Sequence, residues 1–284
     1  MAGSFFHLWL AEQAFAKVGI ALGDGDETKA AFAAGCIAPD IGFFPGGPFE
    51  FSHRVHLEQS GDFLRALIDR ATSEREKAFA AGWGLHVYTD IAVHPWVEAS
   101  VAESLARGVE PAIAGLWHMR LEWGIDCRLL ALEGVDSLWN PKLYFPRREE
   151  GGSLLGEVGK AFYGTDGTED CLALGEAAAM RWLHRIPKIL WWGGHTRAVG
   201  LRPNPWCVFV FSRLGRRLVG DLLERWAYFK DAAALARPQQ ASDEVWGQVV
   251  ALGESALEDF LQGLSGDFSQ LGNPDLYTGL QNDD

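Results

Sequence analysis

The sequence predicts an all-α protein: a multi-helix bundle with a helical C-terminal extension. Apolar residues recur at helical spacing over 5–18, 26–35, 57–72, 75–94, 98–133, 169–184, 206–236 and 242–263. No alternation of apolar and polar residues runs long enough to build a sheet. Gly, Pro and aromatic residues gather in the intervening stretches 36–52, 134–152 and 193–206, which read as connections. With 284 residues, 48% hydrophobic, including 12 Trp and 17 Phe, the chain can bury a sizeable core, and a charged fraction of 22% excludes general disorder.

Taken in order, the first twenty residues, MAGSFFHLWLAEQAFAKVGI, form an amphipathic helix that carries His7. They lack a basic n-region and a clear cleavage site, so they do not read as a signal peptide. After the second helix, CIAPDIGFFPGGP is too rich in Gly and Pro to be regular helix; it carries Asp40 and leads into FSHRVH with His53 and His56. The third helix, 57–72, precedes the two segments with the densest chemistry, 75–94 and 98–133. The stretch from Asn140 to Asp170, with Pro141, Pro146, Gly151, Gly152, Gly164 and Gly167, marks the expected boundary between an N-terminal part, 1–140, and a helical part, 141–284, packed into the same unit. Lys188 to His195 and Arg202 to Trp206 place aromatics beside basic groups, which suits packing onto the core more readily than clamping a phosphate. The closing NPDLYTGLQNDD is acidic and rich in turn residues, and is expected at the surface.

His86, Asp90 and His94 sit four residues apart in HVYTDIAVH. On a helix each step of four turns the side chain by about 40°, so the three share a face, with the histidines about 12 Å apart along the axis. The flanking Trp83, Leu85, Val87, Ile91 and Val93 are too apolar for an exposed helix, and polar groups buried among them need partners. Metal supplies them. At bond lengths of about 2.0–2.2 Å one ion cannot easily take both histidines, so the spacing suggests one ion near His86, another near His94, and Asp90 between them. His118 and Glu122, again i and i+4, would complete the ion near His94, with Asp126 one turn further; Asp40 and His53 are candidates for the ion near His86, and His56, though it could join them, reads more readily as a supporting or surface residue than as a ligand. Paired ions are the usual apparatus for displacement at phosphorus.

The segment HLWLAEQAF from His7, the APD at Asp40, the SH at His53 and the His86/Asp90 and His118/Glu122 pairs resemble, in order and approximate spacing, the bacterial zinc-dependent phospholipase C family, whose relatives include the single-strand-specific zinc nucleases. The resemblance implies an all-helical fold and a hydrolase of phosphoric esters that uses metal-activated water. It also implies that Asp40, His53, His86 and Asp90 hold one zinc, with Asp90 bridging to a second ion, that His94, His118 and Glu122 hold another, and that His7 with the chain's N-terminus holds a third. Asp40 and Asp90 are the catalytic candidates, Asp40 either accepting the water's proton or serving as a ligand. The chain departs from the pattern twice. His94 follows Asp90 by four residues where the secreted enzymes have six, and no N-terminal Trp stands where their third zinc is bound. Two ions are therefore expected, with the third absent or weakly held.

A net charge of −13 argues against a long nucleic acid as partner and leaves a small-molecule or lipid phosphoester as the expected substrate. No apolar run is long enough and free enough of charge to be a transmembrane helix. Cys36, Cys127, Cys171 and Cys207 lack CxxC spacing and read as free thiols, which points to the cytoplasm. His184 and His195 read as structural. The rival reading is a non-catalytic, metal-stabilised helical protein that binds a partner through its Trp-rich C-terminal part. A metallohydrolase of the HD type ranks low, since no HD dipeptide occurs.

Overall fold

The computed structural model describes residues 3–23, 25–108, 114–133, 142–149, 151–185, 241–266 and 268–282. The helix expected over 206–236, the connection 193–206, the aromatic-basic stretches from Lys188 to Trp206, and Cys207 and His195 lie outside them. Among the described residues there is no strand, only an isolated bridge between Pro274 and Gln281, and the all-α expectation holds.

Helix α1 (Ser4–Leu22) has no local side-chain cap. Instead Asp126, distant in sequence, accepts from the backbone N–H groups of Phe5 (3.3 Å) and Phe6 (3.0 Å), two of the donors that a helix start leaves free. Helix α2 (Asp26–Ile37) opens on two acidic residues, as a helix N-terminus favours, and runs into a 3-10 turn, Ala38–Asp40. The Gly/Pro stretch that follows gives way earlier than expected. Helix α3 (Phe49–Leu57) starts just after Pro48, so His53 and His56 are helical, and Gln59 at φ 52 breaks it from α4 (Ser60–Arg70).

Helix α5 (Glu74–Ala106) is closed at its start by a capping box in which the Ser73 hydroxyl accepts from the Glu76 N–H while the Glu76 carboxylate accepts from the Ser73 N–H. It runs straight through Pro95, where the sequence had suggested a break. The ring costs the bond to the Ile91 carbonyl, and Gly279 of the C-terminal segment packs against that carbonyl so closely that a Cβ there would lie 3.0 Å from it. The expected 98–133 helix is divided: α5 ends at Ala106 and α6 spans Ala114–Glu133. Helix α7 (Leu154–Tyr163), capped by Ser153, lies in the stretch read from sequence as a boundary, while α8 (Glu169–Leu183) and α9 (Asp243–Ser265) fall where helices were expected.

Helices α2 and α5 cross backbone to backbone. A Cβ on Gly35 would lie 2.0 Å from the Phe79 carbonyl oxygen, and one on Gly82 would lie 2.0 Å from that of Phe32. Only glycine permits this approach, and it carries the end of α2 onto the middle of α5. Below the crossing, Trp83 stacks on Phe63 (4.8 Å, 29°), and Phe63 on Tyr163 (5.4 Å, 17°), each pair adding about 0.5–1.5 kcal/mol beyond its buried area. Helix α9 packs on α5, and residues 273–282 lie along α3, α4 and α5.

Candidate metal centre

The α2–α5 crossing sets the first histidine. It brings the Cys36 carbonyl to 2.9 Å from His86 Nδ1, which fixes the ring proton there and leaves Nε2 aimed inward. His56 is held alike by the Ser52 carbonyl one turn back in α3 (2.7 Å), and His94 by the Leu276 carbonyl (2.6 Å). His118 on α6 reaches the Glu98 carboxylate through Nδ1 (2.7 Å) and Glu122 through Nε2 (2.8 Å). Each imidazole is thus oriented by a carbonyl or carboxylate behind it, the arrangement that metal-ligating histidines use.

The inward atoms meet in three groups, each with ligand atoms within 4.8 Å of one another: His7, His86 and Asp90; Asp40, His56 and His86; and His94, His118 and Glu122. Asp90 Oδ2 lies 3.1 Å from His86 Nε2 and 3.3 Å from His56 Nε2, while Asp90 Oδ1 lies 3.1 Å from His7 Nε2. His56 Nε2 is also 3.3 Å from Asp40 Oδ1, and His94 Nε2 is 3.4 Å from Glu122 Oε1. His7 stacks flat on His86 (4.2 Å, 14°). All but His118 are buried, and even that ring is only 14% exposed.

Burial by itself would raise the carboxyls of Asp40, Asp90 and Glu122. The facing imidazoles oppose it, with His86 and His56 acting on Asp40, His94 and His86 on Asp90, and His118 on Glu122. All three lie below the usual carboxylate range, Asp90 well below. Burial would likewise lower His56, yet the carboxylates of Asp40 and Asp90, each 3.3 Å away, push it up to about 9. His7 is lowered by burial and by the nearby His86.

Both ring nitrogens of His7, both oxygens of Asp40 and of Asp90, and Nε2 of His94 are buried without a hydrogen-bond partner. Leaving one such atom unpaired costs about 1–3 kcal/mol, and more for a charged group. His86 Nε2 and His56 Nε2 face each other at 3.4 Å although both Nδ1 atoms are committed to carbonyls, so a cation has to separate the two lone pairs. A metal ion bound there would displace any proton that His56 carries. Imidazole and carboxylate donors with oriented tautomers are the donor set zinc takes. The residues fit the ion.

His7, Asp40, His86, Asp90, His94, His118 and Glu122 are therefore brought together, and His53 is not. Helix α3 buries the stripe Phe51, Ser52, Val55 and His56, and His53 falls beyond its edge, half-buried and stacked on Phe49 (5.5 Å, 17°). His56 occupies the inward position that the family resemblance implied for His53. Asp90 also points differently from the spacing argument. Its oxygens face His7 on one side and His56 and His86 on the other, because the Leu276 carbonyl turns His94 Nε2 away toward α6. Asp126 serves α1 as its cap, and His184 is exposed. The position of the chain's first two residues lies outside the described ones.

Sequence reasoning passed over Glu98, although it extends the stripe His86, Asp90, His94 by one more step of four. It also passed over Tyr277, whose ring stacks on His94 (5.7 Å, 14°) and lies 5.5 Å from His56, so the tail expected at the surface covers the centre. Burial, with the charges of Asp40, Asp90 and Glu122, raises the Tyr277 phenol. No spacing rule could have found the Cys36, Ser52 and Leu276 carbonyls, which any residue carries.

No helix among the described residues is long and apolar enough to cross a membrane. No curated protein and no solved structure matches the chain significantly. Residues 6–151, just over half of the chain, match the family described as zinc dependent phospholipase C, and that stretch holds the 3-10 turn and the helices that supply all three groups of ligand atoms. The chain belongs to the zinc-dependent phospholipase C family.

Proposed function

We propose that this protein is a zinc-dependent hydrolase of phosphoric esters. Asp40, His56, His86 and Asp90 hold one ion, and His94, His118 and Glu122 hold a second. The observation that carries the reading is the set of buried, partnerless ligand atoms on Asp40, Asp90, His7 and His94 converging from α1, α5 and the 3-10 turn. Once Asp40, His56 and His86 are committed, His7 is left among the described residues with Asp90 Oδ1, since His86 Nε2 has one lone pair to give. A third ion there would be weakly held.

Bound zinc supplies a Lewis acid that lowers the pKa of a water toward about 7 and offsets charge on phosphoryl oxygens. The residues do the rest. Hydrogen bonds from Nδ1 of His56, His86 and His94 to carbonyls keep each Nε2 a lone-pair donor, so the ligands need no reorganisation during turnover. Asp40, held ionised by His86 and His56, takes the proton that a water loses as its oxygen adds to phosphorus. The same proton passes to the ester oxygen as the P–O bond breaks. Glu98 keeps the His118 ring in place, and His118 lies at the more exposed edge where a substrate enters.

The family description supports a phospholipid as substrate, and the charge of −13 favours a compact ester over a long polyanion. Cytoplasmic location belongs to the same proposal, supported by Cys36 as a buried free thiol. The test is metal analysis of the purified protein together with hydrolysis of a chromogenic phosphodiester and of phosphatidylcholine vesicles, for wild type and Asp90→Asn. At least one zinc per chain is expected, with turnover that the substitution lowers by roughly 10²-fold or more. Less than one ion per chain, or turnover that Asp90→Asn leaves untouched, refutes catalysis.

A further inference from the structure

The segment 273–282 lies far beyond the stretch that matches the family, yet it reaches the metal centre at three points. The Leu276 carbonyl accepts from His94 Nδ1 at 2.6 Å, the Leu276 N–H donates to the His56 carbonyl at 2.8 Å, and the Tyr277 ring lies against both imidazoles. That ring is nearly parallel to His94 (14°), tilted 34° to His56, and meets His118 edge-on at 6.4 Å. It therefore touches histidines of both proposed ion sites.

The segment is pinned elsewhere. Ser60 donates to the Pro274 carbonyl (2.6 Å), Asn273 exchanges hydrogen bonds with the backbone and carboxylate of Asp62 (2.9 Å each), and Asn282 donates to the Leu57 carbonyl (2.7 Å). The Asp275 carboxylate accepts from the Tyr277 N–H (2.8 Å), which sets the turn that presents the ring. These anchors hold the segment to α3 and α4 without help from the centre, so the contacts of residues 276 and 277 with the histidines are additional to what docking requires.

We propose that this C-terminal segment is a positioning element of the metal centre, in which the Leu276 carbonyl and the Tyr277 ring hold His94 in its ligating orientation. The inference rests on the hydrolase reading above. His56 needs the segment less, because the Ser52 carbonyl of its own helix already orients it. For His94 the backbone partner of Nδ1 comes from the segment. Loss of such an outer partner weakens metal binding about 10–100-fold. That weakening should fall on one ion, the one at His94, His118 and Glu122.

The test titrates Co²⁺ into the full-length, metal-stripped protein and follows calorimetric affinity and the visible spectrum of the bound ion. Wild type is expected to take two ions. Tyr277→Ala should bind one of them about 10–100-fold more weakly with an altered spectrum and leave the other unchanged. Tyr277→Phe, which keeps the ring, should restore wild-type binding. Asn273→Ala, which loosens the segment away from the centre, should weaken the same ion. Circular dichroism checks that helix content is retained, and if Tyr277→Ala does not fold, Tyr277→Leu replaces it. Two ions bound by the Ala or Leu variant with wild-type affinity and spectrum, or equal weakening of both ions, overturns the proposal and leaves the hydrolase reading standing. A wild type that binds no Co²⁺ overturns both.

Discussion

Replacing Gly82 with alanine tests the link between packing and chemistry, because the residue touches no ligand. The added methyl would stand 2.0 Å from the Phe32 carbonyl oxygen and 3.1 Å from Cys36 N, where real contacts stop near 3.0 Å, so α2 must retreat by about 1 Å. The same retreat stretches the 2.9 Å bond from His86 Nδ1 to the Cys36 carbonyl beyond the hydrogen-bond limit of about 3.5 Å. Overpacking of this kind costs about 1–3 kcal/mol, and alanine returns about 1 kcal/mol as the better helix former, which leaves a net loss of up to about 2 kcal/mol. For a chain of this size that lowers Tm by up to roughly 8 °C. Freed of its carbonyl, His86 should also bind metal about tenfold more weakly. The assay pairs calorimetric unfolding of the zinc-free protein with competition against a chromogenic chelator. Gly247→Ala is the control. It lies exposed on α9, where an added methyl would meet nothing within 4 Å, and should gain about 0.5–1 kcal/mol without change in zinc affinity. A Gly82→Ala protein with unchanged Tm and unchanged zinc affinity would refute the reasoning that the crossing sets the ligand.

Glu98→Gln removes the charged partner of His118 Nδ1 and should weaken one ion about tenfold or more, read by zinc competition, while leaving the helix content intact. His56→Ala should abolish one equivalent of bound zinc and His53→Ala none, which elemental analysis of the two purified variants decides. At the foot of α5, burial opposes ionisation of Glu76, but hydrogen bonds from Thr72, Arg148 and Ser73 outweigh it and bring the carboxyl from 4.5 to about 2. Since the folded-state value is the lower one, this stabilisation is present above pH 4.5 and is lost as pH falls toward 2. Urea unfolding of the zinc-free protein should therefore weaken across that window, and Glu76→Gln should flatten the decline.

How much of this was legible beforehand differs by residue. The stripe His86, Asp90, His94 was readable because a single helix converts spacing of four into a shared face, and α5 is long and continuous enough to honour that rule. The choice between His53 and His56 was not, because it depends on which side of α3 meets the core, and a nine-residue helix begun by a Gly/Pro stretch gives too short a period to show its buried side. The orientation of Asp90 escaped too. It follows from a carbonyl contributed 182 residues downstream of His94, and a backbone oxygen leaves no trace in residue identity. Helix α7 was hidden by the glycines within and around it, Gly156 and Gly159 inside and Gly151, Gly152 and Gly164 at its ends. These read as punctuation although the Ser153 cap and the buried Leu154, Leu155 and Val158 suffice to hold it.

His7 and Tyr277 come from opposite ends of the described residues, His7 against Asp90 and Tyr277 over His94 and His56. Synthesis reaches Tyr277 long after Glu122, so the Leu276 carbonyl and the Tyr277 ring come to His94 only once its fellow ligands have been made. Contacts such as the Trp83–Phe63–Tyr163 stack hold the helices together without any cation. Chelators should in consequence silence such a protein long before they unfold it.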